Sequence, residues 1–85
     1  MNIEFPGPAL PANDGGISFK AVVDGKTVAC KFSMEVLQDV EPSLSMSSQE
    51  TQFESSKQKL LQIAERKIRE GKVINGVVNI FTADL

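Results

Sequence analysis

The sequence predicts an α+β fold: a two-layer domain whose mostly antiparallel, four-stranded sheet, built in the order strand, hairpin, two helices, strand, carries both helices on one face. Three observations predict it. Apolar and polar side chains alternate through residues 17 to 32 on either side of an Asp-Gly pair, the strongest short-range hairpin signal. An apolar stripe at helical spacing, with marked ends, occupies residues 48 to 70. A last alternating stretch follows Asn75 and Gly76. With 85 residues, 41% of them hydrophobic, the chain is long enough for one core and too short for two, so residues 1 to 85 are expected to form a single α+β domain.

Each element has its own local warrant. "NIEF", residues 2 to 5, reads as a short strand with Ile3 and Phe5 on one face. Residues 6 to 16 hold three prolines and three glycines, and a loop without regular structure is expected there. In the hairpin, Ile17, Phe19, Ala21 and Val23 share a face, as do Val28, Cys30 and Phe32 after the turn. Ser33 can cap a short helix, "MEVLQDV", with Met34, Leu37 and Val40 inward and Pro42 ending it. A serine-rich link follows. Ser47 and Glu50 fit a capping box for the long helix, whose stripe is Phe53, Leu60, Leu61, Ala64 and Ile68, with Ile63 flanking. Lys67, Arg69 and Lys72 suit its negative end and Gly71 its left-handed cap. The last strand is expected over residues 77 to 82, with Val78, Ile80 and Thr82 on one face and Val77, Asn79 and Phe81 on the other.

What is missing narrows the chemistry. The chain has no histidine, so it lacks the commonest general base near neutral pH and the commonest metal ligand. One cysteine cannot make a structural zinc site or an internal disulfide, and no metal or other cofactor is expected. No apolar run reaches the roughly 20 residues of a membrane span, and the first residues do not resemble a signal peptide, so a cytoplasmic location and no membrane partner are expected. Asp24, Glu35, Asp39 and Glu41 form the nearest group of carboxylates. Asp24 has a turn to make and the others lie on a short exposed helix, so no enzymatic activity is expected.

The segments "NIEFP", "ISFKAVVDGKTVACKFSMEVLQD", "FESSKQKLLQIAERKIREG" and "GVVNIFTADL" together resemble a family of small bacterial proteins known as domain of unknown function 1488. The likeness rests on a "V-D-G" turn at residues 23 to 25, a "C-x-(I/F)-S-x-E-(A/V)-L" stretch at residues 30 to 37, and a helix running from Phe53 through Ile68 to Gly71. Where family members carry an aromatic in the early loop and a basic pair early in the long helix, this chain has no aromatic between Phe5 and Phe19, and has Ser56 and Lys57. The resemblance implies a compact α+β fold and no established activity.

Three surfaces or groups remain. A small sheet covered on one face is marginal alone, so its other face, with Val22, Ala29, Val77 and Phe81, is a candidate interface for a protein partner or a homodimer. The resulting leading expectation is a small binding or regulatory accessory protein acting through that interface. Charge supplies the alternative: residues 1 to 54 hold three basic and eight acidic side chains, net −5, and residues 55 to 85 hold six basic and three acidic, net +3. Lys57, Arg66, Lys67, Arg69 and Lys72, with Lys59, thus mark a candidate anion or nucleic-acid surface at the end of the long helix. The competing view is a solvated helix face with cations matched to the dipole, and the sequence pI of about 5.0 with no interleaved aromatics agrees with it. Cys30 is the candidate redox residue. Its phase with Val28 and Phe32 makes it a core residue in the competing view.

Overall fold

The computed structural model describes residues 1–12, 15–44 and 46–85; Asn13 and Asp14 of the expected loop and Ser45 of the serine-rich link lie outside the described residues. The strands are β1 (Ile3–Glu4), β2 (Ala9–Pro11), β3 (Ile17–Val23), β4 (Lys26–Phe32) and β5 (Val77–Ile80), and the helices are α1 (Met34–Val40) and α2 (Gln49–Arg69). Short 3-10 turns occupy Pro42–Leu44 and Thr82–Asp84.

The hairpin forms as its turn chemistry demands. Asp24 and Gly25 take φ of +50° and +84°, conformations that Asp and Gly tolerate best, and β3 pairs antiparallel with β4 from Ile17 opposite Phe32 to Val23 opposite Lys26. β1 pairs antiparallel with the far end of β3, and β5 runs parallel to β4 with Ala29 opposite Val77 and Phe32 opposite Ile80. The order across the sheet is β1-β3-β4-β5. A parallel pair needs a crossover of a dozen residues or more, and α1 and α2 are that crossover.

Residues 6 to 16 depart from the expected structureless loop. Ala9, Leu10 and Pro11 pair with Phe19, Ser18 and Ile17, which makes β2 a fifth strand on the same edge as β1. Proline fits there because an edge strand need not donate its N–H to a second neighbour. The chain then passes so close to β4 that a Cβ on Gly16 would sit 2.1 Å from the carbonyl oxygen of Phe32. That approach explains a glycine at 16 without any ligand.

The core lies between one face of the sheet and the helices. Ile17, Phe19 and Ala21 of β3, Val28, Cys30 and Phe32 of β4, and Val78 and Ile80 of β5 are buried against Val36 and Leu37 of α1 and Phe53, Leu60, Ile63, Ala64 and Ile68 of α2. Phe53 joins the layers, its ring centroid 5.4 Å from Phe19 and 5.3 Å from Phe32. Ser33 caps α1, its hydroxyl oxygen accepting the Val36 N–H at 3.1 Å. Val36 takes the inward position expected for Met34, which is 37% exposed: the buried residues of α1 are Val36 and Leu37, with Val40 partly buried beside them.

Ser48, not Ser47, caps α2 by accepting the Thr51 N–H at 3.2 Å. The shift leaves Ser47's carbonyl free to accept from Gln52, a buried side chain whose amide nitrogen also donates to the Leu44 carbonyl at 2.9 Å. Gln52 thus fastens the turn at Pro42–Leu44 to the helix. Helical backbone angles lapse once, at Ser56 (φ −116°, ψ 15°), so the expected single helix contains a kink. It ends as expected, with the N–H of Gly71 bonded to the Ile68 carbonyl and that of Lys72 to the Lys67 carbonyl.

Candidate functional site

The cations at the end of α2 are brought together, and most are already bound within the chain. Lys67 Nζ donates to Asp84 Oδ2 at 2.8 Å and to the backbone carbonyl of Asn79. The carbonyl of Gly76, just before β5, accepts from Ala29 and that of Ile80 accepts from Ser33, just after β4, so by alternation the carbonyl of Asn79 faces away from the sheet. Lys67 therefore closes an acceptor on the exposed edge of β5, a common way to blunt an edge strand. Its ammonium also lies 5.6 Å from the ring centroid of Phe81. Arg66 donates to the Asp84 carbonyl at 3.0 Å, and Arg69 pairs with Glu65 at 3.1 Å. Lys57 reaches over the ring of Phe19 at 5.2 Å. Of the five candidate cations, Lys72 alone has an ammonium without a partner among the described residues.

Asp84 is the centre of this arrangement and no local sequence signal marks it. Its carboxylate takes Lys67 and the Phe81 N–H, each at 2.8 Å, and so folds the chain into the turn Thr82–Asp84. Burial pushes the Asp84 carboxyl up, but the Lys67 and Phe81 hydrogen bonds and the charges of Lys67 and Arg66 outweigh it and hold the carboxyl below its ordinary value. The Thr82 hydroxyl donates to Asp39 of α1 at 2.8 Å. The last five residues are thereby clasped to both helices. This is why the strand expected to reach residue 82 stops at Ile80.

The same clasp separates Phe81 from the other candidate interface residues. Ala29 lies directly beside Val77, and Val22 is diagonal to Ala29 across the hairpin. Phe81 is four residues beyond Val77, roughly 13 Å along the strand direction. It is 55% exposed, with its ring beside Lys67 at the β5 edge.

The outer face of the sheet can be read row by row from the register. One row is Glu4, Val22 and Thr27; the next is Lys20, Ala29 and Val77; the third is Leu10, Ser18, Lys31 and Asn79. Val22, Ala29 and Val77 are half-buried, Lys20 and Lys31 exposed. Neither ammonium has a hydrogen-bonding or ionic partner among the described residues. The alternation that revealed the apolar face also placed these two on the outer one. Their juxtaposition arises across the strands, from the register, and a sum of charge along the chain does not show it.

Cys30 lies fully buried in the middle of the core, and burial pushes its thiol up to about 11. The carboxylates are dispersed. Asp24 accepts the Asn2 N–H at the hairpin turn, Asp39 holds Thr82, Glu41 accepts from Ser43, and Glu35 is exposed in the first turn of α1. Among the described residues no group of His, Cys, Asp and Glu is placed to hold a metal ion. An open depression of about 660 Å³ lies between the end of α1 and the kink of α2, lined by Val40, Glu41, Ser55, Ser56, Gln58, Lys59 and Gln62. Among the described residues, no helix is long and apolar enough to cross a membrane.

No curated protein matches the chain. Its structure is similar to the crystal structure of a protein of unknown function from the DUF1488 family of Shewanella loihica PV-4, with a TM-score of 0.78 and 22% identity over 94% of each chain. At that identity the likeness concerns the fold. The family model described as "Protein of unknown function (DUF1488)" matches residues 3–77, from β1 through both helices to the first residue of β5, and the chain belongs to that family.

Proposed function

We propose that this is a non-catalytic binding or regulatory accessory protein that acts through a protein interface on the outer face of its sheet. The observation that carries the reading is the cluster Val22, Ala29 and Val77 on the sheet face opposite both helices, running from β3 to the edge strand β5 beside Lys20 and Lys31, whose ammonium groups have no partner among the described residues. Dispersed carboxylates, a shallow polar depression and a buried thiol with a raised pKa give little support to catalysis or to redox sensing at Cys30. The nucleic-acid reading is weakened in the same way, since Arg66, Lys67 and Arg69 each already donate within the chain, to Asp84, Asn79 and Glu65.

The interface reading is tested by Ala29→Trp, which places a bulky ring in the middle of the outer face. Affinity capture from a lysate of the parent cells is compared for wild type, Ala29→Trp and Lys72→Ala, with unfolding curves confirming that all three are folded. Loss of a captured protein with Ala29→Trp alone is the expected result. Capture that is indifferent to Ala29→Trp, or that is abolished by Lys72→Ala and by nuclease, would overturn it.

A further inference from the structure

Resting on that interface reading, we infer that the partner for the outer sheet face is an acidic, extended segment of another protein and not a second copy of this chain. Lys20 stands opposite Ala29, and Lys31 is two residues on from Ala29 along β4, so the two lysines are diagonal neighbours about 7–8 Å apart. Both are exposed, and neither ammonium has an acidic partner among the described residues. The acid on this face is Glu4, in the row of Val22 and Thr27 on the short strand β1. The face is therefore locally positive on a molecule whose net charge is −2.

Where the compensating negative charge sits favours a foreign partner. Glu35, Asp39, Glu41, Glu50 and Glu54 all belong to α1, the turn after it and the first half of α2, in the helical layer on the other side of the sheet. A two-fold dimer through the outer face is isologous, so it sets the Lys20 and Lys31 patch against its own copy, and like charges opposed across an interface cost affinity. Docking of the acidic helical layer of one copy onto the sheet of the next is heterologous, and it builds a ring or an open chain of copies.

The relief of the face suits an extended segment. Around the lysines lie small or β-branched side chains, Ser18, Ala29, Thr27, Val22 and Val77, over which lysine stems can lie while their ammonium groups reach outward. Carboxylates alternating with apolar side chains along a strand-like segment match that pattern: the apolar ones meet Val22, Ala29 and Val77, and the carboxylates meet Lys20 and Lys31. Single-stranded nucleic acid on a sheet is held by stacking on aromatic rings, and none of the three outer-face rows contains one.

The test uses the full chain labelled with 15N, titrated with a capped seven-residue peptide alternating glutamate and valine, the same peptide with glutamine for glutamate, and oligothymidylate. The glutamate peptide is expected to move the amides of Ser18, Lys20, Ala29, Lys31 and Val77 while leaving Lys72 unmoved, and to bind more weakly as salt is raised. The Lys20→Glu/Lys31→Glu double variant, with its unfolding midpoint checked, is expected to lose about tenfold or more in affinity. Lys59→Glu/Lys72→Glu is expected to change it little. Equal binding of the glutamine peptide at these amides would overturn the acidic partner and leave the interface standing. Stronger shifts there with oligothymidylate would replace the protein segment with nucleic acid, and a concentration-dependent dimer or growing oligomer through the same amides would replace it with a second copy. Absence of any shift from the glutamate peptide would also overturn the inference, while the Ala29→Trp capture experiment judges the interface separately.

Discussion

Two groups of cations on this small molecule look alike in the sequence and do opposite things in the structure. At the end of α2, Arg66, Lys67 and Arg69 lie within reach of a carboxylate or a backbone carbonyl, and each donates to one. On the outer face of the sheet, Lys20 and Lys31 are neighboured by Ser18, Val22, Thr27, Ala29, Asn79 and each other, none of them a carboxylate, and their exposed ammonium groups have no partner among the described residues. A local excess of positive charge is thus not itself a binding surface. What separates the groups is the supply of acceptors, which is set by how the chain returns in space.

The sharpest way to break the contrast is to remove one cation from each group. Lys67→Ala takes away the partner of Asp84 and uncovers the Asn79 carbonyl, and should destabilise the fold by about 2 kcal/mol in urea unfolding. Acidification should reach the same clasp from the other side. Because the folded-state carboxyl of Asp84 is held below its ordinary value of 3.8, its stabilisation is complete above that value and is lost as pH falls through the lower folded one. Asp84→Asn should flatten that part of the acid-unfolding profile. Arg69→Ala removes an exposed i,i+4 pair and should cost no more than about 0.5 kcal/mol. Lys20→Ala and Lys31→Ala should lie within about 0.5 kcal/mol of wild type, since neither ammonium has a partner among the described residues. A large cost for Lys31→Ala would erase the distinction.

Cys30 supplies a further check on which groups face inward. Its thiol, pushed up to about 11 by burial, favours the folded state below the ordinary value of 9.0, and that contribution is lost as pH rises toward about 11. Native protein near neutral pH should resist alkylation, with labelling appearing only as the chain unfolds. Rapid labelling would place the thiol outside the core.

The parts of this fold legible in the sequence are those decided within a few residues. Asp24 and Gly25 make their turn, Ser33 caps its helix and Gly71 ends the long one because backbone geometry at each site is set by the residues themselves. Alternation likewise assigned Cys30 and Phe32 to one face and Lys31 to the other. Contacts that join distant segments left no such trace. The parallel pairing of β5 with β4, the edge strand Ala9–Pro11, the Gln52 amide holding the turn at Leu44, and the clasp from Asp84 to Lys67 each depend on where the chain comes back. Asp84 illustrates the limit: as a lone acid near the end of a sequence it has no pattern to belong to, yet it accounts for the behaviour of two of the five cations first read as a surface.

Amine acylation of the native protein, followed lysine by lysine by mass spectrometry, tests the division most directly. Lys20 and Lys31 should react early, and Lys67, bonded to Asp84 and Asn79, should react last and become equivalent to them only in denaturant. Lys67 reacting as fast as Lys20 in the folded protein would contradict the account.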